Sequence, residues 1–277
     1  MIIYSCITNG YDEIPDNHYY DPDVQYVMFT DGTVEHKGPW EFREIPIGHE
    51  CPLRLALYPK IMQHKVFPMG EQVVWIDGCY VMTEKYVEQS KKYFSESPRT
   101  HMHHPLKFSY YEEVLESYIA AFNTEEDILR ITSHLNKLGF DFKSYVNPIM
   151  ASFWNTVSEE AVEFNETWWE LSQISTRCDQ IAFITSKFLT GLEWATIDDW
   201  TEPGVNFSGV VASHTPVGRV GRKKLHPQPA PKDQYRNRYE LLKKLRPLVG
   251  MNPFFHIKHW RKDDKLEEWM KAHNIGP

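Results

Sequence analysis

The chain has 277 residues, 42% of them hydrophobic and 25% charged, and a formal net charge of −8. Those values fit one large α/β domain with a tail better than two small domains, and the length suffices for a substantial core. No apolar run approaches the roughly 20 residues of a membrane helix, and MIIYSCITNGYDEI enters a strand pattern at once, so no membrane partner and a cytoplasmic location are expected. Cys6, Cys51, Cys79 and Cys178 are scattered without a C-x-x-C pair, which excludes a zinc ribbon and a disulfide framework.

In chain order, Ile2–Ile7 reads as a first strand, stopped by Thr8-Asn9-Gly10-Tyr11-Asp12, where Asn-Gly is a strong turn signal. Val24–Phe29 is a second strand and ends in Thr30-Asp31-Gly32. Glu50–Phe67 is helical in composition, with Pro59 expected to break or kink it, and carries Arg54, Lys60, His64 and Lys65. Next comes Val73-Val74-Trp75-Ile76-Asp77-Gly78, whose four apolar residues read as a strand buried on both faces. A strand thus runs into Asp-Gly twice, and in a parallel sheet Asp31 and Asp77 would lie on one edge.

Thr83–Phe94 has the pattern of a short helix. In Arg99–Pro105, His101, His103 and His104 crowd one short segment without an accompanying acid, so a substrate contact by His103 or His104 is a better reading than a metal site. Ser109 and Glu112 have capping-box spacing ahead of Tyr111, Val114, Leu115, Tyr118, Ile119 and Phe122, which explains Glu112 and leaves Glu113 unexplained. Thr124–Leu138 reads as a helix closed by Gly139, Tyr145–Trp154 as an extended segment made irregular by Pro148, and Ser158–Leu171 as a helix. Arg177-Cys178-Asp179-Gln180 opens one more helix over Ile181–Leu189; the acid suits the helix dipole, and the trio Arg177, Asp179 and Gln180 would also suit a sugar.

After Trp200 the texture changes. His214 to Lys224 is a loop dense in cations, Pro227, Pro229 and Pro231 form a stiff connector, and a basic helix with Tyr239, Leu242 and Leu245 follows. From Arg219 to Pro277 there are 15 Lys and Arg against 6 Asp and Glu, a balance of +9, whereas residues 1–218 carry 15 against 32, or −17. An acidic body over 1–218 and a basic extension over 219–277 should have different jobs.

A carboxylate at the end of a buried strand, with a glycine beside it, is where open α/β sheets place ligand-binding groups, although Asp-Gly is also an ordinary turn. Cations lying between two such strands suit the phosphates of a nucleotide; the bland alternative is a solvated helix face.

Taken together and in order, ITNGYDEI, FTDG, RLALYPKIMQHKVFP, VVWIDG, HHPLKFSYYEE, SFWN and RCDQIAF resemble the mucilage-related glycosyltransferase-like family of plants and bacteria. The likeness is greatest to its bacteriophage members, which glycosylate hydroxymethylated cytosine in DNA, and it covers Met1–Thr196 and, more weakly, the His214 loop. It implies a GT-A-like, Rossmann-type fold, a mostly parallel sheet flanked by helices, with the basic extension packed on it. It also implies a nucleotide-sugar donor, such as a UDP-sugar carrying arabinose or glucose, and a divalent cation, Mn²⁺ or Mg²⁺.

By that resemblance Thr8, Asn9, Gly10, Tyr11 and Asp31 would meet the nucleoside, and Arg54, Lys60 and Lys65 the diphosphate. Asp77, next to Gly78, and His214 would hold the metal, while Arg219, Arg222, Lys223 and Lys224 would close over the departing diphosphate. Arg177, Asp179 and Gln180 would hold the transferred sugar and serve catalysis, with His103, His104, Glu113 and Trp154 on the acceptor side. One departure stands out: such enzymes carry Asp-x-Asp, and here Cys79 takes the second position. A thiol does not suit Mg²⁺ or Mn²⁺, so either Asp77, His214 and the diphosphate hold the ion or the enzyme works without metal.

Three other readings compete. One is a transferase acting on a polysaccharide or protein; another is an amide hydrolase, against which stand the missing membrane segment and the lack of a G-x-S-x-G elbow. The last, a non-catalytic nucleic-acid-binding protein, explains the tail and leaves the acid-ended strands unexplained.

Overall fold

The structure is a computed structural model that describes residues 1–49, 51–103, 109–119, 123–142, 148–174, 179–197 and 231–249. Its centre is a seven-stranded sheet in the order β3-β2-β1-β4-β6-β5-β7. The strands are β1 (Ile2–Ile7), β2 (Gln25–Thr30), β3 (Glu41–Glu44), β4 (Gln72–Ile76), β5 (Arg99–His103), β6 (Pro148–Thr156) and β7 (Ala195–Ile197). Neighbours β1/β2, β2/β3, β1/β4 and β5/β7 are parallel, and β6 is antiparallel to both β4 and β5. Six strands therefore point one way, and their carboxyl ends share one edge.

Side-chain alternation divides the core in two. Tyr4, Val27, Phe29, Val73 and Trp75 face α1 (Pro52–Ile61), α4 (Tyr110–Ile119), α5 (Glu125–Lys137), α6 (Val162–Ile174) and α7 (Asp179–Thr190). Ile3, Ile7, Val74, Ile76 and Trp154 face α3 (Glu84–Glu96) through Tyr86, Val87 and Tyr93. The last described helix, α8 (Pro231–Val249), buries Leu241, Leu242 and Leu245 and packs on α5, where Lys244 meets Glu125 at 2.5 Å.

Helix ends follow the sequence signals. Thr124 caps α5 with a full capping box, closed by the Asp127 side chain, and Gly139 follows its end at φ +78°. At the start of α4 Ser109 Oγ accepts from the Glu112 amide, one half of the expected capping box, and donates to the Glu112 carboxylate. Pro59 does not end α1; the helix continues to Ile61, and the break falls at Met62, ahead of the short α2 (Gln63–Val66). Since the ring removes an N–H from the last turn, the helix has little left to lose there.

Three strands correct the sequence reading. Arg99–His103, expected to be a histidine-rich connection, is β5, and the short β3 and β7 had no pattern to announce them. None of the described helices is long and apolar enough to cross a membrane.

Candidate functional site

Strands β2 and β3 lie on one side of β1 and β4 on the other, so the chain reverses its direction of travel across the sheet between β1 and β4. Ligands of open α/β sheets bind in the crevice outside the carboxyl ends at such a point. Thr8, Asp31 and Asp77 are the first residues past the ends of β1, β2 and β4, so all three stand at this edge. Asp31 and Asp77 flank β1 from either side, two strand spacings or roughly 10 Å apart.

The β1 end is a tight turn. Asn9 and Gly10 both have left-handed backbones, φ +55° and +56°, and the Tyr11 amide donates to Thr8 O at 3.1 Å. That is the I′ geometry Asn-Gly favours. Asp31 holds the turn in place: its carboxylate accepts from the Asn9 amide at 2.7 Å and from the Thr33 hydroxyl at 2.5 Å, and the Gly10 amide donates to Thr33 Oγ1 at 2.8 Å. Partial burial raises the Asp31 pKa, but these donors outweigh it and hold the group below the ordinary carboxylate value. Thr8 is buried and donates to Pro52 O at 2.9 Å, which ties the first turn of α1, and with it Arg54, to the same edge.

The chemistry concentrates on the other side of β1. Lys60, 3% exposed, descends with α1 but reaches back along the helix, as long helical side chains do. Its ammonium lies 2.5 Å from Asp179 Oδ2 at the start of α7 and 3.3 Å from Asp77 Oδ1 at the end of β4. Burial works against the charge, but Asp179 first and then Asp77 hold the pKa above that of an ordinary lysine. The Trp75 indole N–H donates to Asp77 Oδ1 at 2.7 Å, and the Lys60 ammonium sits 5.0 Å from that ring's centroid. Asp179 is in turn fixed by α7, whose first turn is pinned by the Trp168 indole N–H to Asp179 O at 3.1 Å. Edge-to-face aromatic contacts back it, with Phe183 5.1 Å from Trp168 and 5.0 Å from Trp194.

Asp77 is 38% and Asp179 17% exposed, so the two acids open to solvent above a closed lysine. Gly78 completes the floor. A Cβ there would stand 2.6 Å from Ile7 Cγ1, so the Ile7 side chain packs against the backbone just past β4 because residue 78 has none.

Of the residues expected from sequence, the structure brings together Thr8, Asn9, Gly10, Tyr11 and Asp31 at one end of the edge, and Lys60, Asp77, Gly78 and Asp179 at the other. Gln180 follows Asp179 in the first turn of α7, and His103 ends β5 at the same edge, half-buried and one strand beyond β6. Three expectations change. Lys65 is half exposed and pairs with Glu166 of α6 at 3.4 Å, beyond the break at Met62, and makes no contact with Asp77 or Asp179. Trp154, 1% exposed, is a core residue: it pairs with Val74 on the α3 face, 4.9 Å from Tyr93, whereas Asp77 faces α1. Glu113 is 1% exposed inside α4, out of reach of an acceptor. Arg177, His104, His214, Arg219, Arg222, Lys223 and Lys224 lie outside the described residues.

Among the described residues the carboxylates at this edge are Asp77 and Asp179, which share the Lys60 ammonium; Asp77 Oδ1 already accepts from two N–H donors, and Cys79 is a buried thiol. Mg²⁺ or Mn²⁺ is commonly held by one or two carboxylates with substrate phosphates completing the shell, so these residues would supply part of such a site and not the whole of it. Among the described residues no three His, Cys, Asp or Glu side chains gather as a ligand set.

Sequence reasoning missed the polar layer beneath Lys60. Tyr4 OH donates to Lys60 O at 3.2 Å, Gln63 Nε2 donates to Tyr4 OH at 2.6 Å, and Asn155 Nδ2 donates to Gln63 Oε1. Single polar residues inside apolar runs, Tyr4 in β1 and Asn155 in β6, were the available signal.

No family model matches the chain, and no curated protein matches it.

Proposed function

We propose that this protein is a glycosyltransferase of the GT-A type that moves a sugar from a nucleotide diphosphate to the hydroxyl of a 5-hydroxymethylcytosine-type base in DNA. The observation that carries the reading is the Asp77–Lys60–Asp179 cluster, placed at the carboxyl edge beside the β1/β4 switch point.

Breaking a bond between a sugar and a diphosphate develops positive charge on the sugar and negative charge on the leaving group. Asp179, held by a buried ammonium yet partly open, is suited to the first; preorganised carboxylates of this kind act without reorganising as charge develops. It is equally suited to accept the proton of the acceptor hydroxyl. Arg54, in the first turn of α1, supports the second: among the described residues its guanidinium has no ion-pair partner, and no side chain caps this helix start. A cation and free amide N–H groups at a helix N-terminus suit a diphosphate. The I′ turn at Asn9-Gly10 is held by Asp31 and Thr33, which take its amide N–H groups, so a nucleoside would meet its carbonyls and side chains.

A polyanionic acceptor is supported by α8. Its leucines are spent on docking to α5, and Lys243 and Arg246 remain exposed.

Incubating the protein with a panel of nucleotide-sugars and hydroxymethylated DNA, then weighing the released nucleosides, tests the reading. A hexose- or pentose-shifted hydroxymethylcytosine is expected. Donor turnover with a polysaccharide or protein and none with DNA would move the acceptor elsewhere, and no turnover with any donor would remove the transferase reading.

A further inference from the structure

We infer that Tyr4, Gln63 and Asn155 form a positioning relay that sets the depth and direction of the Lys60 side chain, and through Trp75 the rotamer of Asp77. The inference rests on the transferase reading for its kinetic test alone; the relay itself is argued from contacts.

The three side chains are 0%, 1% and 0% exposed and come from three elements, β1, α2 and β6. A buried polar network fixes one arrangement of the parts it joins to the extent that its members are paired; here the chain of contacts runs unbroken from Asn155 Nδ2 to Lys60 O, and Asn155 Oδ1 is the one member atom buried with no partner among the described residues. Here it ends on a particular atom, the carbonyl of Lys60. That carbonyl belongs to the last turn of α1, just ahead of Met62, where the helix ends and its last carbonyls lose their regular partners. Pro59 has removed one N–H from the same turn, and Met62 turns away at ψ 48°. Without the Tyr4 hydroxyl the residue carrying the site's ammonium would sit on a frayed helix end.

The Tyr4 ring has a second task. It meets Trp75 edge to face at 5.2 Å and Phe67 at 4.9 Å, so the indole that donates to Asp77 and carries the Lys60 ammonium on its face is braced from below. One tyrosine thus supports the lysine from its hydroxyl and the acid from its ring. Neither Tyr4, Gln63 nor Asn155 touches the open crevice, so they are positioning residues.

Tyr4→Phe separates the two tasks, because it keeps the ring and removes only the hydroxyl. The substrate-free readout is the rate at which acetic anhydride acylates Lys60, followed by peptide mass spectrometry. In the wild type Lys60 should be among the slowest lysines to react, and in Tyr4→Phe its rate should rise about tenfold while Lys65 and Lys91 keep theirs. Gln63→Leu, which removes the donor holding Tyr4, should give a rise of the same size, and Tyr4→Phe combined with Gln63→Leu should add little to either. With donor and acceptor in hand, Tyr4→Phe should lower kcat at least tenfold and leave the donor KM within about twofold. An unchanged Lys60 acylation rate in both single variants overturns the relay whether or not any sugar is transferred. A rise confined to Lys60 without turnover in the wild type would uphold the relay and count against the transferase reading.

Discussion

Two buried cations stand at opposite ends of the sheet, and their surroundings differ in a way that separates scaffold from site. Arg99, 6% exposed at the amino end of β5, donates to Ser158 Oγ at 2.7 Å and to Glu160 at 2.8 Å. Glu160 is 71% exposed and follows closely in sequence after the strand that β5 pairs with. Lys60, at the carboxyl edge, takes its two acids from a strand end and a helix start that only the fold brings together. Arg99 fastens a corner. Lys60 gathers two carboxylates at the point where the sheet's topology opens a crevice, so burial of a charge marks nothing until its partners and its edge are known.

The largest effect should come from that cluster. Asp77→Asn and Lys60→Met should each lower sugar transfer at least a hundredfold, the usual scale for losing a preorganised charged group in a site. Circular dichroism should show Asp77→Asn folded as the wild type, and transfer near the wild-type rate in that variant would remove Asp77 from the site. Lys60→Met also leaves two acids facing each other without their cation, which should destabilise the fold by about 1–3 kcal/mol, less than for a fully dry pair because Asp77 is partly exposed.

Arg99→Met sharpens the contrast from the other end. It should cost about 1–2 kcal/mol through lost hydrogen bonds, a fall of several degrees in Tm, while turnover per folded molecule stays unchanged. A parallel loss of turnover would erase the distinction between the two ends.

A smaller effect concerns the acceptor. Replacing Lys243 and Arg246 with alanine should flatten the dependence of log Kd on log salt for duplex DNA by about 1.8, if each contacts one phosphate, as measured by titration across salt concentrations. An unchanged slope would take α8 off the DNA path.

The last effect is in pH. His18 is half-buried and His101 buried, neither beside an acid among the described residues, and loss of hydration lowers both from 6.5 to about 4. In the unfolded chain both take up protons first. Their contribution to stability is therefore complete above pH 6.5 and is lost as pH falls through about 4, with close to two protons taken up on unfolding in between. Urea midpoints measured between pH 7 and pH 4 check this; a midpoint that does not move would mean that the histidines are charged in the fold. Burial pulls Lys60 the same way, and its acids reverse the outcome.

The strands that could be read were those with apolar runs, Ile2–Ile7 and Val73–Ile76 above all. β5 could not, because RTHMH has no such run and its burial is supplied by Phe183 and Trp194, which approach His101 only after α7 is in place. In the site, Lys60, Asp77 and Asp179 were each legible as a charge next to a turn or helix start. Their junction was not, since Lys60 and Asp179 are 119 positions apart. Trp154 went astray for a reason of parity: pairing with Val74 instead of Trp75 sends its ring to the opposite face of the sheet from Asp77.

Gly78 has a consequence for how this molecule can vary. A single hydrogen on residue 78 leaves the space that the Ile7 side chain fills, and one added methyl would strike Ile7. Adjusting the ledge for a bulkier guest therefore requires trimming residue 7 in the same step, so changes of cargo in related chains should come as paired substitutions at 7 and 78, or arise from the surrounding loops with this ledge left as it is.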